Sequence, residues 1–197
     1  MINFIKGQLI EKFPTYIVLE AHGIGYLIHI SLNTFSALPE RNSMDLKVLT
    51  YLNIKEDSHT LYGFMDEGER TLFTHLISVS GIGPGTGRMI LSSMNPQEIN
   101  QAIVQGDIQR LQKIKGIGAK SAQRIILEIQ DKLKKEGISP VNFSPNHNTI
   151  SDEALQALII LGFQKVQAQK ALEKVLEENQ QNSLALDTLI KLALKYL

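Results

Sequence analysis

Two short segments place glycines where a chain can hold an anion. Gly81-Ile82-Gly83-Pro84-Gly85 and Gly116-Ile117-Gly118-Ala119-Lys120 each follow one apolar helical stretch and precede another. Glycine admits positive φ and lets a ligand approach the backbone closely. The first N–H groups of the helix that follows have no internal acceptors, and the helix dipole is positive there. Such a corner suits a phosphate. A shift of 35 residues superposes Leu76 on Leu111, Val79 on Ile114, Gly81 on Gly116 and Gly83 on Gly118, so a helix, a hairpin and a second helix occur twice. Two such corners in tandem can hold two phosphates of one strand, or one on each strand of a duplex. The plainer alternative is a tight helix–helix turn with no ligand.

Other phosphate motifs do not fit. A dinucleotide fingerprint needs glycine at 86 or 121, where Thr86 and Ser121 stand, and a P-loop needs glycine before Lys120, where Ala119 stands. Local charge favours a polyanion. From Gly81 to Lys135 there are nine cations, among them Arg88, Arg110, Lys113, Lys115, Lys120 and Arg124, against the four anions Glu98, Asp107, Glu128 and Asp131. The whole chain has 20 of each sign. A uniformly basic coat is thereby excluded, and a local patch making sequence-independent, salt-sensitive phosphate contacts is not.

Catalytic chemistry has no comparable support. The five histidines, 22, 29, 59, 75 and 147, fall in no ligand spacing, and His22 and His29 are expected at the surface or in turns. No G-x-S-x-G elbow is present, and cysteine is absent, which removes disulfides and thiolate chemistry. No catalytic residue, metal or cofactor is expected.

The elements that must position the corners follow from periodicity. The first ~65 residues of the 197 read as short strands, at 16–20, 26–30, 46–52 and 61–64, with a turn at Gly23-Ile24-Gly25. The helical period begins near Glu67, where Leu72, Phe73, Leu76 and Ile77 share a face. Asn95-Pro96-Gln97-Glu98 has the form of a capping box, and Asp107 can cap the next helix. Ala122, Ile125, Ile126, Ile129 and Leu133 form the stripe of a longer helix. Residues 136–150 read as a flexible linker. Three short helices are expected after it: the first capped by Ser151 or Asp152 and ended by Gly162, the last capped by Ser183. No apolar run reaches the ~18–20 residues of a membrane span, and no signal peptide is evident, so a cytoplasmic location is expected.

These residues resemble the helix-hairpin-helix proteins, specifically the RuvA family of Holliday junction branch migration subunits. Gly23-Ile24-Gly25-Tyr26, Glu56-Asp57, Leu61-Tyr62-Gly63-Phe64, Glu69-Arg70-Thr71-Leu72-Phe73, both Gly-Ile-Gly segments and Leu161-Gly162-Phe163 fall in the family's order. The resemblance implies a homotetramer, or a double tetramer, binding a four-way DNA junction in an open, square form. It also implies the RuvB ATPase as partner of the C-terminal domain, and the RuvC resolvase in the same complex. ATP hydrolysis would belong to RuvB. The implied phosphate-binding set is Gly81, Gly83, Gly85, Arg88, Lys115, Gly116, Gly118, Lys120, Ser121 and Arg124. Glu56 and Asp57 become an acidic pin at the junction centre, where they repel phosphates; without the resemblance they read as a solvated turn. Leu158, Leu161 and Phe163 become the docking residues; without it they read as bundle core. In the first hairpin Gly85 stands where a lysine is usual and Gly87 where an alanine is usual, with Arg88 as a candidate replacement charge.

The expected fold class is mixed, β then α: an OB-like barrel with the acidic pin over 1–64, an all-α tandem helix-hairpin-helix domain over 65–135, a linker over 136–150, and a three-helix, UBA-like bundle over 151–197. Two rivals are a helix-hairpin-helix nuclease or glycosylase, betrayed by cleavage or base excision, and a protein adaptor that does not bind DNA.

Overall fold

A computed structural model describes residues 2–136, 150–178 and 184–197. The chain divides into two compact units, Met1–Lys132 and Leu133–Leu197. The first opens with five strands, β1 (Phe4–Phe13), β2 (Tyr16–Ala21), β3 (Ile24–Ile30), β4 (Leu46–Ile54) and β5 (His59–Phe64), closed into a barrel in the order β1-β2-β3-β5-β4. All pairings are antiparallel except β3 with β5. Alternate residues point inward, so Ile5, Leu9, Ile17, Leu19, Ile28, Ile30, Leu46 and Val48 form the core. The β2–β3 turn is His22-Gly23, both with positive φ (52° and 81°), which matches the twist of a two-residue hairpin. Ile24 and Gly25, expected in that turn, belong to β3.

A six-residue helix, α1 (Leu32–Ala37), joins β3 to β4, and its N-cap Ser31 accepts the Thr34 amide. Five further helices complete the unit: α2 (Glu67–Ile77), α3 (Pro84–Ser93), α4 (Pro96–Gln105), α5 (Ile108–Gln112) and α6 (Ala119–Glu136), the last running past Lys132. The expected capping box at Asn95 and Glu98 is formed, and Asp107 caps α5 through the Arg110 amide. Phe73 of α2 is wholly buried against the rings of Tyr51, Tyr62 and Phe64, at centroid distances of 5.5, 5.2 and 5.0 Å, seating α2 on β4 and β5.

Glu69 of α2 is 3 % exposed, and its two oxygens accept the hydroxyls of Ser31 and Thr34. Burial pushes this carboxyl above its ordinary range, against the pull of both hydroxyls, and nearby Asp66 adds to the rise. From about 4.3 up to its raised value, the folded state holds more proton at Glu69 than the unfolded chain does. The contribution of this group to stability is therefore fullest in acid and is lost as pH rises through the raised value. His29 slopes the other way, because burial and the Arg88 charge hold it below its ordinary value. Comparing Glu69→Gln with the wild type cancels His29. Urea denaturation should show the variant gaining on the wild type as pH rises from the ordinary carboxyl range through the raised value; a constant difference would put the carboxyl at its ordinary pKa.

The second unit holds α7 (Ile150–Ile160), α8 (Lys165–Glu178) and α9 (Leu186–Ala193) around Ala154, Leu158, Ala168, Ala171, Leu172, Val175, Leu189 and Ala193. Gly162 ends α7 with φ +100°, and the Phe163 amide reaches back to the Leu158 carbonyl at 3.2 Å, closing a Schellman turn. Ser151 is already helical rather than a cap, since α7 starts at Ile150. Ser183 lies outside the described residues, and Ala185 takes the N-cap position of α9. The expected linker lies outside them too, except Glu136 and Ile150, which are helical. Among the described residues no helix is long and apolar enough to cross a membrane.

Candidate nucleic-acid interface

The two Gly-Ile-Gly segments fold alike, bond for bond. Gly81 and Gly116 both have φ +88°, a conformation that other residues adopt only under strain. The Val79 amide donates to Leu76 and the Ile82 amide to Val79, at 3.1 and 3.0 Å; 35 residues on, Ile114 donates to Leu111 and Ile117 to Ile114 at the same distances. Gly87 donates to Gly83, and Ala122 to Gly118, both at 2.9 Å. Ile82 and Ile117 are 5 % exposed and pin each corner into the core. The glycines face outward: a Cβ placed on Gly81, Gly83, Gly85, Gly116 or Gly118 would meet nothing within 4 Å.

Behind each corner the following helix begins with free-ended amides. At α3, proline in first position removes one, leaving those of Gly85 and Thr86. At α6 all three, Ala119, Lys120 and Ser121, are available. The second corner thus carries one more backbone donor, and also the exposed cations Lys113, Lys115 and Lys120. Arg124, one turn on, is exposed and donates to the Ser80 carbonyl at 3.4 Å, and Lys132 donates to the Ser78 hydroxyl. The helix that opens at the second corner therefore runs alongside the first.

Two cations of the basic segment are spent elsewhere. Arg110 pairs with Glu98 at 3.2 Å. Arg88, expected to restore charge at the first hairpin, instead turns to the barrel. Its guanidinium donates to the Thr15 carbonyl at 2.8 Å and lies 3.3 Å from Nδ1 of His29. This corrects two expectations, since His29 is a half-buried partner of Arg88 rather than a free surface histidine. Gly87 has its own packing reason. A Cβ there would come within 3.1 Å of Ile77 and 3.3 Å of the Phe73 ring, so an alanine would require those side chains to give by a few tenths of an ångström.

Glu56 and Asp57 form the exposed tip of the β4–β5 hairpin, which Lys55 closes by donating its amide to the Ser58 carbonyl at 2.8 Å. In the second unit Leu158 is wholly buried, so its role is to hold the bundle rather than to dock. Phe163 packs partly against the same core. Leu161 is 60 % exposed. Ile160 and Val166, which the sequence reading left out, are 84 % and 65 % exposed on either side of the Gly162 corner.

Glu69 is the residue whose place the sequence reading missed. The signal was available, because position 69 precedes Leu72, Phe73 and Leu76 by three, four and seven residues and so continues the buried stripe. Among the described residues, no three His, Asp or Glu side chains gather as a metal site.

Comparison with known proteins agrees with this arrangement. Residues 1–63 match the RuvA N terminal domain, 73–131 the SAM-like helix-hairpin-helix tandem, and 149–197 the RuvA C-terminal domain. Proteins named Holliday junction branch migration complex subunit RuvA are similar along their full length. That of Cytophaga hutchinsonii is 51 % identical, with 99 % of each chain covered; that of Christiangramia forsetii is 50 % identical over all of both chains. The Bacteroides fragilis protein is 41 % identical, again over all of both. Identity at this level along the entire length, with characteristic domains matched at both ends, means that the chain belongs to the RuvA family.

Proposed function

We propose that this chain binds four-way DNA junctions without regard to sequence, holds them open and square, and so serves as the DNA-binding subunit of a cytoplasmic branch migration complex. The observation that carries the reading is the pair of outward-facing glycine corners, matched in φ and hydrogen bonding, on the chain's most basic segment. Backbone amides and helix termini read phosphate and ignore bases. Gly81, Gly83, Gly85, Gly116 and Gly118 line the corners, with Lys115, Lys120, Ser121 and Arg124 beside them. The tip Glu56-Asp57 is the acidic pin, repelling phosphates and parting the duplex arms.

The domain division that suits this role is a barrel over 1–64, the hairpin domain over 65–135, a linker over 136–150 and the bundle over 151–197. Four copies around one axis would bring four pins to the crossover, in a tetramer or double tetramer. The bundle would dock the RuvB ATPase, which supplies the work, and RuvC would join the same assembly.

Fluorescence anisotropy with a four-way junction, a linear duplex and a single strand, over a salt series, tests the reading. The junction should bind tightest, and each phosphate neutralised should add about −0.9 to the log–log salt slope. Glu56→Lys with Asp57→Lys should keep or tighten binding while the preference for junction over duplex falls. Equal affinity of the wild type for junction and duplex would overturn the function, and an unchanged preference in the double variant would overturn the pin.

A further inference from the structure

The two corners are alike, yet their attachment differs. Short α1 grips both helices that flank the first corner. Ser31 and Thr34 donate to the two oxygens of Glu69 on α2, Thr34 at 2.7 Å. Asn33 donates its side-chain amide to the Leu91 and Met94 carbonyls at the end of α3, and the Leu32 amide donates to the Ser92 hydroxyl at 3.1 Å. Arg88 makes a second tie, from α3 to the Thr15 carbonyl between β1 and β2. The hydrogen bonds of α6 run instead to the first corner and to α4: Arg124 to Ser80, Lys132 to Ser78, and Gln130 to the carbonyls of Ile103 and Val104. The repeat makes the contrast sharp, because the counterpart of Arg88 at 35 residues' distance is Gln123, an exposed neutral side chain.

A buried carboxylate is a poor choice for adhesion alone. Desolvation costs it free energy, and an apolar side chain of similar volume often does as well. What two directed acceptors supply is orientation, since each fixes one hydroxyl of α1. Among the described residues the charged group that acts on Glu69 is Asp66, the N-cap of its own helix; α1 and its cap present the two hydroxyls, and β5 offers the Gly63 carbonyl as a second acceptor for Thr34 at 3.5 Å.

We infer that Glu69 is a positioning residue for junction recognition: by holding α2 to α1 it fixes the first glycine corner relative to the barrel that carries the β4–β5 tip, with Arg88 as the second tie. The inference rests on the proposed function. A linear duplex needs only the corners. An open junction brings corners and acidic tip onto the same DNA, and a tip held out of place turns its repulsion on the phosphates that the corners must hold. Loosening the joint therefore costs junction binding and spares duplex binding.

The test uses the full-length chain with Glu69→Met, which keeps volume and removes both acceptors, and Arg88→Gln, which installs the residue of the second repeat. Anisotropy is read with a four-way junction and with a linear duplex of one arm's sequence. In each variant junction affinity should fall about tenfold, while duplex affinity and its salt slope stay within about twofold. Arg88→Lys, which can still donate to Thr15, should recover most of the loss. Should Glu69→Met fail to fold, as judged by circular dichroism, Arg88→Gln decides alone. A junction-to-duplex ratio within about twofold of wild type in the folded variants overturns the inference, as does a parallel fall in both affinities. A wild type without junction preference overturns the proposed function instead.

Discussion

Gly83→Val combined with Gly118→Val is expected to fold as the wild type does and to lose DNA binding. Neither glycine sits at positive φ, and a Cβ at either meets nothing within 4 Å, so the backbone accepts a side chain at both and valine projects into open space. What it fills is the open space through which a phosphate oxygen would reach the amides of α3 and α6. Hydrogen bonds to charged groups contribute about 1.5–3 kcal/mol each. Losing one per corner removes about 3 kcal/mol, or roughly 100-fold in affinity at moderate salt. The neighbouring glycines behave differently. At φ +88°, Gly81→Val and Gly116→Val strain the backbone by about 1–3 kcal/mol, so those variants lose stability as well as binding. The contrast separates a ligand-facing glycine from a merely turn-forming one. Junction anisotropy and the thermal midpoint, measured on all three variants, check it. Retained binding in the Gly83→Val, Gly118→Val protein would mean that the corners are only turns.

The parts of the fold that show in the sequence are those where one face repeats one residue type. Ile17 and Leu19 alternate with less buried neighbours, and the stripe from Ala122 to Ile129 keeps helical spacing, so β2 and α6 were legible. Strand β1 was not. Its inward face runs Ile5, Gly7, Leu9, and a glycine in the middle of the apolar series breaks the alternation; a bulge between Leu9 and Glu11 then shifts the phase. Helix α1 was invisible for another reason. Leu-Asn-Thr-Phe-Ser-Ala has little helix propensity, and the helix stands on the Ser31 cap and on its bonds to α2 and α3, which are contacts of distant sequence.

The same division holds at the site. The corners were legible because glycine at a repeated position has few other uses. The cations were legible only as charge: nothing local distinguishes Arg88, held on the barrel, from Arg124, which lies between the corners. The spacing of Glu69 from Leu72, Phe73 and Leu76 marks it as buried, but its partners, the hydroxyls of residues 31 and 34, lie far away in sequence.

At the other end of the chain, Ile160→Ser combined with Leu161→Ser is expected to abolish the response of RuvB while leaving this protein folded and bound to junctions. Both side chains are mostly exposed, at 84 % and 60 %, and Val166 at 65 % extends the apolar surface across the Gly162 corner. Exposed apolar groups gathered at one corner fit a partner surface, and replacing them costs the fold little, within about 0.5 kcal/mol. Leu158→Ala is the opposite case. Its side chain is wholly buried among Ala154, Ala168 and Leu172, and its loss should cost about 2–5 kcal/mol, enough to melt a bundle this small. Both variants should stop RuvB-driven branch migration, for different reasons. Circular dichroism separates them, with the helical signal kept in the first and diminished in the second. A folded Ile160→Ser, Leu161→Ser protein that still stimulates RuvB ATPase and branch migration on a four-way junction would move the docking surface away from this corner.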